Sequence, residues 1–133
     1  MKHWIFISST KRFRMHDWLN DNDFVEYEQR NKVEVNDIVY LYSTAPIQCI
    51  EYKMIVEKIN IPIDEIIDDS AYSLESNPRI LNKDTLHVRL KLIKKVETPL
   101  LHLNFLREYG LHSCMQSALT ISGELLDYIE SKF

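Results

Sequence analysis

Between Val25 and Thr44 the chain changes character in a way that leaves few folds open. A polar, charge-mixed segment carrying one aromatic residue, Tyr27, runs to a turn at Asn36-Asp37 and then into Ile38-Val39-Tyr40-Leu41-Tyr42-Ser43-Thr44. β-Branched and aromatic residues in such a run favour a strand, and the two closing hydroxyls put polar groups at its end. A β-barrel presents a small polar pocket at its mouth in this way.

The flanking patterns extend this reading. Residues 2–8, with His3, Trp4, Ile5, Phe6 and Ile7, read as a first strand. Ser9 or Thr10 can cap a short helix over residues 11–20, whose Phe13, Met15 and Trp18-Leu19 recur at helical spacing before the breaker at 20–23. Residues 38–43 and 49–61 form a hairpin, with Pro46 in the connection. Tyr52, Met54, Val56 and Ile59 make an internal face with a bulge between Val56 and Ile59. Residues 62–85, acidic and containing Asn77-Pro78, read as a long excursion with one helical turn near 64–67. Leu86, Val88, Leu90 and Leu92 alternate with polar residues, predicting a strand paired with 52–61. A helix follows over 99–109, with Gly110 past its end, and after a polar loop at 112–120 a last helix runs over 122–131 with Leu125, Leu126 and Ile129 on one face.

The 133 residues, 45% hydrophobic and 27% charged, fit one domain, with no room for a second, catalytic one. No apolar run is long enough to span a bilayer and no secretory leader is visible, so a cytoplasmic, non-membrane protein is expected. Cys49 and Cys114 lie far apart with no metal-ligand spacing around them, predicting buried, unpaired thiols and neither a metal nor a cofactor. The net charge of −4 argues against broad affinity for phosphate backbones.

The segments Trp4-Ile5-Phe6-Ile7-Ser8, Asp37-Ile38-Val39-Tyr40-Leu41-Tyr42-Ser43 and Glu108-Tyr109-Gly110-Leu111-His112-Ser113, in this order, resemble the corresponding stretches of EVE domains in the PUA-like superfamily. Asn36 stands where those domains carry a turn glycine. The resemblance implies an α+β fold, a twisted mixed β-barrel with short helices packed outside it. It also implies recognition of a nucleobase, a modified one in DNA or RNA, by a module that assists a separate nuclease or modification enzyme. Tyr27 and Tyr42 would supply stacking faces, Ser8, Ser9, Gln29, Ser43 and Ser113 the edge contacts, and Met115 a soft apolar wall. Ser8, Tyr27, Gln29 and Ser43 are expected in one concave pocket, with Tyr27 joining little core. Lys11, Arg12, Arg30 and Lys32 are the candidates for phosphate contacts.

The remaining chemistry-bearing residues read as structural. Trp4 and Trp18 are expected in the core. The five histidines show no metal spacing, and His112-Ser113, adjacent in sequence, makes no nucleophile elbow, so no enzyme is expected. Asp68-Asp69 and Glu26/Glu28 are read as solvated. The alternative class is a protein-interaction or small-ligand domain without nucleic-acid affinity, which the acidity would suit.

Overall fold

A computed structural model describes residues 1–75 and 83–133; Asn77-Pro78, read above as a helix breaker, lies outside them. Among the described residues there are six strands: β1 (His3–Ser8), β2 (Phe24–Glu28), β3 (Ile38–Ser43), β4 (Cys49–Ile61), β5 (His87–Lys95) and β6 (Leu119–Ile121). They form one mixed sheet in the order β2-β5-β4-β3-β1-β6, in which β1 and β3 run parallel and the other neighbours antiparallel. The sheet curls until Phe6 of β1 meets Tyr27 of β2, ring centroids 5.6 Å apart.

Curling requires bends, and the long strand β4 supplies them. Its register with β5 shifts between Val56 and Lys58 and again between Lys58 and Ile61, where the bulge was expected, and Asn60 takes a left-handed φ of 57°. The β3–β4 hairpin turns through a cis Ala45–Pro46 bond.

β1 and β3 carry apolar and aromatic residues on both faces up to their closing serines, because both faces are covered. Trp4, Phe6, Val39 and Leu41 point into the concave side with Tyr52, Met54, Val56, Val88 and Leu90. Ile5, Ile38, Tyr40 and Tyr42 point to the convex side. There α2 (Leu103–Glu108) and α3 (Gly123–Lys132) pack, and Glu130 of α3 accepts from the Tyr40 hydroxyl and pairs with Lys53 at 2.8 Å. Helix α1 (Met15–Asp21) packs on the concave side, burying Met15, Trp18 and Leu19 there and leaving Asp17, Asn20 and Asp21 exposed, so the short helices are peripheral to the sheet as expected. Trp4 and Trp18 are both core residues.

Several boundaries differ from expectation for identifiable reasons. Helix α1 starts at Met15, because Phe13 is drawn into a bridge with Ser73 and the Thr10 hydroxyl is taken up by the Ala45 carbonyl and so caps nothing. Pro99–Leu101 is a separate 3₁₀ turn, and His102 accepts from the Asn104 N–H to start α2 afresh. Gly110, at φ 106°, follows α2 as expected. β6 arises from a loop-like segment by pairing with β1. Leu86 is 40% exposed, outside the strand whose Val88 and Leu90 are buried. Cys49 and Cys114 are unpaired, but Cys114 is exposed and Cys49 only half-buried. Glu26, read as solvated, is enclosed: it pairs with Arg89 at 2.9 Å and accepts from the Ile67 N–H.

Asp37 fixes the parallel pairing. Its buried carboxylate accepts from the Lys2 N–H (2.9 Å), the Trp4 indole N–H (3.1 Å) and the Glu34 N–H (3.0 Å). Burial works to raise its pKa, but these hydrogen bonds and the N-terminal charge outweigh it, and the pKa lies below the ordinary value.

Two outcomes follow for stability. Leu90→Ala, removing a fully buried side chain, should cost about 2–5 kcal/mol in urea unfolding. Asp37→Asn should cost about 1–3 kcal/mol near neutral pH. The native pKa is depressed, so this contribution is complete above the unfolded carboxyl value, about 3.9, and disappears as pH falls through the native one. The gap between wild type and Asp37→Asn should therefore close in acid, and a gap that widens would assign the clamp another origin.

Candidate functional site at the barrel mouth

Strand alternation carries the concave face outward to Ser8 after Trp4 and Phe6, and to Ser43 after Val39 and Leu41. Ser8 and Ser43 face each other in the β1–β3 register, both 3% exposed. Just beyond them the chain ties itself off: Thr44 N–H donates to the Ser8 carbonyl (3.1 Å), and Thr10 N–H to the Thr44 hydroxyl (3.1 Å).

Tyr27 reaches this end from β2, edge-on to Phe6. As a residue it is only partly buried, but it packs against the inner core, contrary to the expectation that it has little core to join, because the curl of the sheet brings β2 onto β1. Its hydroxyl is buried and unpartnered; the Ser8 hydroxyl lies beside it, yet no hydrogen bond of ordinary geometry joins the two. Burial raises the phenol pKa far above its ordinary value, so the group is a neutral donor.

β4 adds Glu51 and Tyr52 and α1 adds His16, none of them among the expected site residues. Leu41 pairs with Tyr52 and Tyr42 with Ile50, leaving Glu51 as the extra residue of a bulge. The bulge brings Glu51 round toward α1, where its carboxylate meets His16 Nε2 at 2.8 Å while the His16 ring tilts over Tyr52 with centroids 5.7 Å apart. The Tyr52 hydroxyl, like that of Tyr27, is buried without a partner; burial first, then the charges of Glu51 and Glu97, hold it protonated. The available signal was a carboxylate inside the apolar run Cys49-Ile50-Glu51-Tyr52, though its direction depends on the bulge. Ser8, Ser43 and Tyr27 thus gather hydroxyls beside Phe6, and Glu51, His16 and Tyr52 gather a carboxylate, an imidazole and a phenol between β4 and α1, groups suited to the edge of a flat heterocycle.

The other expected site residues lie elsewhere. Gln29 sits at the rim, where its side chain accepts from Asn60 N–H (2.7 Å) and donates to Asn60 Oδ1 (2.8 Å), clamping the bend of β4. The Ser9 carbonyl accepts from Arg12 and Phe13 N–H groups (3.2 Å each) in the turn leaving β1. Tyr42 does not join Ser43, because adjacent strand residues face opposite sides; it packs in the convex cluster with Met115. Ser113 accepts from the Met115 N–H and lines a separate cleft of about 360 Å³ between residues 109–113, β6 and the start of α3. Lys11, Arg12, Arg30 and Lys32 are exposed, with Arg12 paired to Glu75 and Arg30 to Glu28. Among the described residues no three His, Cys, Asp or Glu side chains gather as a cation site requires, and no helix is long and apolar enough to cross a membrane.

Removing only the Tyr27 hydroxyl should raise stability, by up to about 1–3 kcal/mol, since a buried hydroxyl without a partner is costly, whereas Tyr27→Ala should cost roughly 3 kcal/mol by emptying its place beside Phe6. Urea titration of Tyr27→Phe and Tyr27→Ala separates the two.

No family model and no curated protein matches the sequence. Solved structures do match the fold. An ASCH protein from Zymomonas mobilis is 12% identical with a TM-score of 0.67, over 98% of this chain and 94% of its own. The human THYN1 protein, an EVE-domain protein solved in complex with DNA containing 5-methylcytosine, is 12% identical with a TM-score of 0.65, over 98% and 96%. A Pseudomonas syringae protein is 15% identical with a TM-score of 0.65, over 97% of each chain. At such identities the likeness establishes architecture, and the chain has the α+β, PUA-like fold that its resemblance to EVE domains implied.

Proposed function

We propose that this protein binds a nucleobase, a modified one in DNA or RNA, at the barrel mouth, without catalysing a reaction of its own. The observation that carries the reading is the pair of buried, unpartnered phenol hydroxyls, Tyr27 and Tyr52; among the described residues His87 Nδ1 is the one other buried polar side-chain atom without a partner. A buried donor without an acceptor costs about 1–3 kcal/mol, and a ligand supplying the acceptor recovers it. The likeness to THYN1, whose structure contains 5-methylcytosine DNA, supports a nucleic-acid ligand. A module of this kind would act in the cytoplasm and deliver a marked site to a separate nuclease or modification enzyme.

The charge distribution makes the interaction local. Arg12 and Arg30 are engaged by Glu75 and Glu28, which leaves Lys11 and Lys32 as the exposed cations of the expected set. Affinity therefore comes from the base and little from the backbone.

Fluorescence anisotropy with short oligonucleotides bearing 5-methylcytosine, 5-hydroxymethylcytosine, N6-methyladenine, plain bases or one abasic position tests this. Base-bearing strands should bind more tightly than the abasic one, with a salt slope on the order of two or three counterions. Equal affinity for the abasic strand, or a slope typical of a backbone binder, would refute the pocket.

A further inference from the structure

We propose that the outer face of β4 and β5 docks an acidic segment of a partner protein, one that carries an apolar side chain among its carboxylates. This face lies on the side of the sheet away from the concave cluster, so the inference does not depend on base binding.

Over β1 and β3 the convex side of the sheet is covered by α2 and α3, but over β4 and β5 it is met only at its margins. At one margin Glu130 of α3 reaches Lys53. At the other, Ile67 N–H donates to Glu26 of β2 (2.7 Å), and Glu26 pairs with Arg89. Residues directly opposite each other in a ladder share a face. Ile55, which packs against the convex cluster, therefore sets Lys91 on this side, and Lys53 sets Lys94 there. Lys58 stands opposite Arg89. The register step between Lys53 and Met54 leaves Ile93 as the extra residue beside Lys94, 49% exposed and outside both core clusters.

Lys53 opposite Lys94, and Lys58 opposite Arg89, are like-charge cross-strand pairs, an arrangement that destabilises a sheet. The chain offsets it only in part. Glu130 and Glu26 answer Lys53 and Arg89, but Lys94 reaches only the main-chain oxygen of Phe133 (2.6 Å), and Lys58 and Lys91 have no partner among the described residues. Of the two carboxylates on these strands, Glu51 is turned to His16, which leaves Glu57 as the one anion against them. The surplus of positive charge calls for an anionic partner, and the exposed Ile93 in its midst narrows the choice. A phosphate backbone would neutralise the lysines and offer nothing apolar to Ile93. A protein segment of Asp and Glu around an apolar residue answers both.

Fluorescence anisotropy with labelled peptides tests this: one of Glu and Asp around a central Leu, the same peptide with Ser for Leu, and one with Lys for its acidic residues. Wild type should bind the first at least about tenfold more tightly than the second, the margin for one buried apolar side chain, and Ile93→Ser should lose that margin. Lys91→Glu should weaken the acidic peptide at least about tenfold and gain affinity for the basic one. Lys91 and Ile93 are exposed, so urea unfolding of both variants should match wild type. Failure of wild type to bind the acidic peptide, binding indifferent to its Leu, or binding unchanged in Lys91→Glu overturns the inference. An abasic oligonucleotide that displaces the peptide and itself loses affinity in Lys91→Glu assigns the face to a phosphate backbone and overturns it likewise. Discrimination among base-bearing oligonucleotides should be the same in Lys91→Glu as in wild type; a discrimination that changes joins this face to the concave site and removes the separate partner.

Discussion

The three hydrogen bonds onto the Asp37 carboxylate hold the start of β1 against the start of β3, and the remaining architecture depends on that pairing. Parallel neighbours cannot be joined by a tight turn, so the chain from Ser9 to Asp37 must make a long connection between them. Helix α1 and β2 occupy that connection, and their course brings Tyr27 over Phe6. Fixing the strand starts in register also fixes the strand ends, and so Ser8 comes to lie opposite Ser43. A charged group at one end of the barrel thereby sets the geometry of the polar cluster at the other.

Coverage of β1 and β3 on both faces divides the aromatic residues between two tasks. Tyr40 and Tyr42 serve the convex side, where Tyr40 anchors α3 through Glu130. Trp4, Phe6 and Tyr52 serve the concave side, where the Tyr52 hydroxyl remains unsatisfied. Such exceptions, against a background in which buried polar groups are paired, are where a fold trades stability for recognition. The bulge at Glu51 belongs to the same trade: it interrupts a ladder in order to redirect a carboxylate.

Local pattern was enough to read the β3–β4 hairpin, the bend of β4, the strand carrying Val88 and Leu90, and the terminal helix, because each is dictated by periodicity or turn residues. The site was legible only in part. Ser8 and Ser43 follow from strand ends, and the structure does set them side by side. Tyr27 looks like a surface residue in sequence because its neighbours are polar, but the curl that covers it is a property of the whole sheet. Tyr42 was read alongside Ser43 although strand alternation sends it to the other face. Glu51 and His16 lie 35 residues apart and meet through a one-residue bulge, which no local pattern announces. β6 is similarly invisible, since three residues become a strand only when β1 is there to receive them.

That last pairing bears on how the molecule is assembled. β1 lies between β3 and β6, and His3 is partnered by Ile38 on one side and Ile121 on the other. The backbone of His3 to Ile5 therefore gains its second neighbour only when Leu119–Ile121 comes to lie against it. Such non-local contacts are formed against loop-closure entropy and slow the approach to the native state. During synthesis the strongly apolar segment Trp4-Ile5-Phe6-Ile7 stays without its second neighbour until Leu119–Ile121 has been made. Its exposure to cellular quality control is set by translation time as much as by thermodynamic stability.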